Sequence, residues 1–232
     1  MFFDWTYLWL VMPAVLFAMW ASAQVNSTFV RYEKQFSIRA ISGAQAARMV
    51  LDSNGLNHVP IEMVAGKLSD HYDPKANVIR LSEAVYHGTS TAAIGVACHE
   101  VGHAIQHATG YTPIKIRTAI VPITNIGSRL AFPLLLMGLL FGAVSEWAFV
   151  LAYVGIACFA LSTVFQLVTL PTEFNASRRA MESIRSHQIL SEEELQGTRK
   201  VLSAAALTYV AALAVSLTQL LRLFLLVNRR RR

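Results

Sequence analysis

Two histidines four residues apart, with a glutamate after the first, stand near the middle of this 232-residue sequence: His99-Glu100-Val101-Gly102-His103. In an α-helix, residues four apart lie on one face, one turn above each other. Both imidazoles then point the same way and can ligate one zinc ion, with Glu100 beside them as general base. Zinc activates water as a nucleophile near neutral pH and polarises the carbonyl that is attacked. The chemistry implied is zinc-dependent hydrolysis of a peptide bond.

A five-residue pattern is short, and its surroundings decide its weight. Ala93, Ile94, Val96, Ala97 and Val101 make the same helix apolar enough to be buried. Unpaired His and Glu would be costly there. Ala97, Gly102 and Ala104 permit close packing. Thr89-Ser90-Thr91 supplies candidate N-caps, and Gly110 ends a helix that runs to about Ala108.

A catalytic zinc takes three protein ligands and keeps one open position. His107 continues the spacing of four, but a straight helix does not wrap three turns around one ion. The long zinc motif escapes this with a glycine three residues past the second histidine and a later third histidine. Gln106 and Thr109 occupy those places. Glu173 is the better third ligand, in Pro171-Thr172-Glu173-Phe174-Asn175-Ala176-Ser177. Between His103 and Glu173 the chain holds two apolar blocks, so two crossings return it to the side it left. Pro171 suits a helix start, which would place Glu173 in a first turn. Glu182, more than two turns further on, is the rival.

The elements that must position these residues alternate between apolar and polar segments. Hydrophobic residues make up 54% and charged residues 15%, against roughly 25% charged in soluble domains. Residues 5–23 carry no charge and reach about the thickness of the hydrocarbon layer. Only Asp4 precedes them, where a cleavable signal wants Lys or Arg, so they read as an anchor. Leu130–Val144, extended backwards through Ile120–Ile126, and Trp147–Leu170 read as a tight helical hairpin around Ser145-Glu146. Residues 201–228 read as a last apolar helix in which Arg222 snorkels. The expected division is a membrane anchor (1–23), a peptidase domain (24–117), a hairpin (118–171), a third-ligand helix and loop (172–200), and a C-terminal membrane helix with a basic tail (201–232).

Within 24–117, Ser42-Gly43 precedes an amphipathic helix that stops near Asn54-Gly55. His58–Val64, Leu68–Tyr72 and Asn77–Leu81 read as short strands, with Asp73-Pro74 as a turn. The fold class expected is a mainly α membrane protein with about four transmembrane helices and a small α+β domain.

Net charge is +6, but Arg229 to Arg232 supply four of the positive charges. That run suits anionic headgroups at a membrane flank. No basic stripe interleaved with aromatics suggests nucleic acid as a partner. Cys98 and Cys158, the two cysteines, form neither a disulfide framework nor a zinc ribbon. Segments 24–117 and 172–200 hold fourteen Lys/Arg, which by the positive-inside rule puts the site in the cytoplasm. The arginine tail disagrees if residues 201–228 cross, so either that helix does not cross fully or the orientation is reversed.

The chain resembles the YugP-type bacterial membrane zinc peptidases. The likeness rests on His99–His103, the following hairpin, the segment from Leu170 to Arg179, Asp70-His71-Tyr72-Asp73-Pro74 and the Ala205–Ala212 stretch. More distantly the order of parts is similar to the HtpX-type and CAAX-prenyl-protease gluzincins. The resemblance implies a gluzincin-like domain, one Zn2+ per chain on His99, His103 and Glu173, and Glu100 as base. Those wider families often carry an Asp four residues after the ligand Glu; Ser177 stands there, so that orienting role does not transfer. They also align substrate on an edge strand ahead of the active helix, matching Asn77–Leu81, which equally suits a purely structural strand. Tyr209 and His71 are candidate oxyanion donors. The expectation is a multi-pass cell-membrane endopeptidase acting on membrane-associated or misfolded polypeptides at the bilayer. The alternative is a non-catalytic zinc-binding or scaffold protein. The oligomeric state is not legible from the sequence.

Overall fold

Long uncharged runs can satisfy their backbone only within themselves when water is absent, and helices do this. The structure, a computed structural model, describes residues 5–142 and 144–231, without the side chains of 230 and 231. A short π-helical turn (Tyr7–Val11) leads into α1 (Met12–Glu33). α2 is Gly43–Ser53, α3 is Glu83–Tyr86 and α4 is Thr91–Ala108. α5 (Thr112–Phe141), α6 (Ala148–Ser186) and α7 (Glu192–Arg231) follow. Among the described residues four helical stretches are long and apolar enough to cross a membrane: Tyr7–Glu33, Thr112–Phe141, Ala148–Ser186 and Glu192–Arg229. Large apolar side chains stand exposed on them, Phe132 at 70% for example, as suits helices solvated by lipid rather than water.

The chain divides into two compact units. One comprises the residues up to Ala21, Lys115–Leu170 and the residues from Thr208. Its core gathers Leu135, Phe149, Ala152, Ile156, Leu223 and Val227. Thr163 and Ser216 share a buried hydrogen bond, and Tyr153 donates to Asn228. The Arg222 guanidinium stacks over the Tyr7 ring at 5.0 Å, so its charge is met by an aromatic face within this unit.

The other unit comprises Ser22–Ile114 and Pro171–Leu207. Here the short elements appear as expected. Ser42 and Gln45 cap α2 reciprocally in a capping box. The sheet has strands β1 (Ile61–Val64), β2 (His71–Asp73) and β3 (Val78–Ser82) in the order β1-β3-β2. β1 runs parallel to β3 and β2 antiparallel. The Asp73 carboxylate accepts from the backbone N–H of Lys75 and Ala76, closing the turn between β2 and β3.

β3 is therefore the central strand, paired on both sides. The sequence expectation of a substrate-aligning edge at Asn77–Leu81 fails on this pairing. Val78, Ile79 and Leu81 are all buried, the mark of a strand covered on both faces.

Serine 90 caps α4 by accepting from the Ala93 N–H. At its other end Gly110, with φ near +64°, lets Tyr111 N–H reach the Gln106 carbonyl and Gly110 N–H reach that of His107. That is the Schellman closure, which stops the helix at Ala108, five residues after His103. The unit's core, including Val50, Leu51, Ile79, Leu81, Ile94, Val101, Ile184 and Ile189, packs around this helix.

Pro171 does not begin a helix. It lies inside α6, which runs unbroken from Ala148 to Ser186. A proline forfeits one helical hydrogen bond, a loss that long apolar helices tolerate; α5 also contains Pro122 and Pro133. Glu173 is thus an interior helical residue, and its place owes nothing to a helix dipole.

Candidate metal centre

The spacing of His99 and His103 on α4 works as the helix geometry requires. Their rings stand edge to face with centroids 4.8 Å apart. Glu173 comes to them from α6, 74 residues along the chain from His99. Its Oε2 lies 3.3 Å from His99 Nε2 and 3.5 Å from His103 Nε2. One ligand atom from each of the three residues falls within 4.8 Å of the others. Glu173 is only 2% exposed.

The two carboxylate–imidazole separations match those that a shared metal would set. Atoms about 2.0–2.1 Å from a tetrahedral zinc stand about 3.3–3.4 Å from each other. A charged N–H···O bond is shorter, about 2.7–2.9 Å. The donor set, two imidazole nitrogens and one carboxylate oxygen, is also one that zinc takes in catalytic sites. The residues fit the ion.

α4 and α6 must approach closely to make this cluster, and Gly102 allows it. A Cβ at position 102 would lie 2.6 Å from the Ala176 carbonyl oxygen. Ala176 stands between Glu173 and Ser177 on α6, so the contact sets the height of the carboxylate against the imidazoles.

The remaining ring nitrogens are held as well. His99 Nδ1 lies 3.1 Å from Ser177 Oγ. His103 Nδ1 lies 3.0 Å from Gln106 Oε1. Gln106 Nε2 in turn donates to the Thr172 carbonyl and to Asn175 Oδ1, and Arg179 Nε donates to the same Asn175 oxygen. Such outer partners orient imidazole ligands. Neither was legible as a partner in the sequence. Gln106 stood only as the residue that breaks the long zinc motif, and Ser177 as a missing aspartate; their spacings of three and four from a ligand were the available signals.

Glu100 is buried beside the pair, and its Oε2 accepts from the Tyr72 backbone N–H at 2.9 Å. Glu100 is thereby tied to β2 rather than to β3. Burial alone would favour the neutral His103 ring. The neighbouring Glu173 and Glu100 carboxylates outweigh it, holding His103 above the ordinary imidazole range.

The other sequence candidates are not among the three clustered ligands. Glu182 is exposed and pairs with Arg178. The His107 ring packs 5.4 Å from that of Tyr72. Neither belongs to the three-residue ligand group. His71 is exposed, its Nδ1 2.7 Å from the Ser69 carbonyl. Tyr209 lies on α7 in the unit that contains Thr208 onwards. Cys98 is fully buried, and burial pushes its thiol up to about 12, so it stays a protonated packing residue.

The sequence matches the family described as "Putative neutral zinc metallopeptidase" over residues 7–228. It is 47% identical over 216 residues to "Putative membrane protease YugP" of Bacillus subtilis (strain 168), covering 93% of this chain and 94% of that protein. No solved structure matches the chain. With the family's span covering all the apolar helices and both halves of the candidate ligand set, the chain belongs to this family.

Proposed function

We propose that the chain is a membrane-embedded zinc endopeptidase of the gluzincin type, cutting membrane-associated or misfolded polypeptides. The convergence of His99, His103 and Glu173, with Glu100 at their side, carries this reading. One zinc ion, held by those three residues, would supply a Lewis acid that polarises the scissile carbonyl and acidifies water. Glu100 takes the proton of the attacking water and returns it to the departing amine. The Tyr72 N–H fixes one of its oxygens and leaves the other to do this work.

β2 supports an extended peptide as substrate. It is an edge strand, and the Tyr72 N–H faces the base rather than the sheet. A peptide laid along that edge by β-addition passes beside Glu100. Glu173 follows three residues after Leu170, the end of an apolar block, which favours cleavage near the bilayer surface. The excess of Lys/Arg in the polar segments favours a cytoplasmic site in the cell membrane.

The test is Glu100→Gln in the purified full-length protein. Zinc stoichiometry is expected to stay at one, while degradation of a loosely folded polypeptide such as casein is lost, as it is for the wild type under chelation. Cleavage at wild-type rate by a zinc-loaded Glu100→Gln protein overturns the mechanism. For orientation, a cysteine introduced at Lys67 is expected to resist a membrane-impermeant thiol reagent in intact cells; labelling there reverses the assignment.

A further inference from the structure

We infer that Gln106 is a positioning residue that fixes the tautomer of His103, leaving its Nε2 bare for the metal. The inference rests on the metal-centre reading above but makes a claim that holds without catalysis.

The direction of every hydrogen bond in the chain from Arg179 to His103 is forced. A guanidinium donates and never accepts. The Asn175 atom 2.9 Å from Arg179 Nε must therefore be the carbonyl oxygen. That same oxygen lies 2.9 Å from the Gln106 side chain, so Gln106 presents its NH2 group there. The Thr172 backbone carbonyl, which can only accept, lies 2.8 Å from the same nitrogen and gives the same answer independently. Both N–H bonds of the amide are thus used on α6.

The Gln106 oxygen is left facing His103 Nδ1 at 3.0 Å. An oxygen with no hydrogen can only accept, so Nδ1 carries the proton. A neutral imidazole has one N–H, and Nε2 keeps its lone pair, 3.5 Å from Glu173 Oε2. Gln106 is 0% exposed, so water does not compete for the amide. His99 differs. Its Nδ1 partner is the Ser177 hydroxyl, which donates or accepts with equal ease, and its Nε2 faces the Glu173 carboxylate at 3.3 Å, which can only accept, so the protein does not force its proton onto Nδ1.

A fully buried glutamine is costly unless each of its polar atoms is paired.

The test uses full-length protein in detergent, labelled with 15N-histidine and freed of zinc, at a pH where the nitrogen shifts themselves show neutral rings. His103 is expected to carry its proton on Nδ1. Gln106→Leu is expected to abolish the His103 preference and to weaken zinc binding roughly 10–100-fold, the usual loss for an outer partner. Asn175→Asp, whose carboxylate still accepts from both donors, is expected to keep the tautomer and the zinc affinity. A wild-type His103 protonated on Nε2 overturns the inference whatever any variant does, including a Gln106→Leu protein that fails to fold. So does a folded Gln106→Leu protein that binds zinc like the wild type. A wild type that shows the Nδ1 proton and binds zinc but cleaves no peptide sinks the hydrolytic function and leaves this inference standing.

Discussion

Gly102 and Ala176 meet so closely that a methyl group on the glycine would stand 2.6 Å from the alanine carbonyl oxygen and 3.1 Å from its Cα. Backbone, unlike a flexible side chain, cannot swing aside. In Gly102→Ala, α6 must retreat from α4, at a cost of about 1–3 kcal/mol for an overpacked interface. Glu173 lies one turn before Ala176, so it retreats too. Zinc affinity is expected to fall further than thermal stability. Isothermal titration with zinc and a melting curve on the same sample check this; wild-type affinity in the variant would refute the packing account.

Glu173→Gln keeps the shape of the side chain and removes its charge. The variant is expected to fold and to lose zinc by more than the roughly 10–100-fold seen when only an outer partner is removed. Glu182→Gln, on the exposed face beside Arg178, is expected to bind zinc normally. Metal analysis after dialysis compares the two, and equal losses would disqualify Glu173 as a ligand.

At position 177, Ser177→Ala removes the partner of His99 Nδ1. Zinc affinity is expected to drop about tenfold. Ser177→Asp offers a charged acceptor to the same nitrogen and is expected to restore or exceed the wild-type value. Competition against a chromophoric chelator gives both constants, and an aspartate variant weaker than the alanine one would show that the hydroxyl does not orient the ring.

Zinc and protons compete for His103. Its folded value is raised above the roughly 6.5 of a free imidazole by Glu173 and Glu100, against the effect of burial. Stability that the zinc-free protein gains from this proton is full below that ordinary value. It disappears as pH rises through the raised one. Zinc binding needs the neutral ring, so its dependence runs the other way. With zinc at 100 times its dissociation constant, the stabilisation is about 2.7 kcal/mol. It is expected to shrink on acidification, starting at a pH above that of an unperturbed histidine. Melting temperatures with and without zinc across pH measure this; a zinc-induced shift that is flat through that range contradicts it.

Much of this arrangement is legible in the residues themselves. The period of four in His99 and His103, the caps at Ser42 and Ser90, and the glycine at 110 are local signals, and local structure follows them. The third ligand also yields to the order of apolar blocks. Strand order does not, because Asn77–Leu81 looks the same whether its neighbours lie on one side or on both. Pro171 misleads for a related reason: proline is a start signal and also a tolerated interior residue in a long apolar helix. Gln106 and Ser177 escape because their tasks depend on which residue of α6 faces which turn of α4, a relation made only by the fold.

The metal ligands are also spread along the chain in the order in which it is made. A ribosome that has reached His103 has supplied two imidazoles and Glu100, but nothing to complete them. The carboxylate, Ser177, Asn175 and Arg179 arrive only after the helices α5 and most of α6 have emerged. A stalled or truncated product ending before Glu173 would therefore hold an incomplete metal centre, because the carboxylate belongs to the later part of the polypeptide.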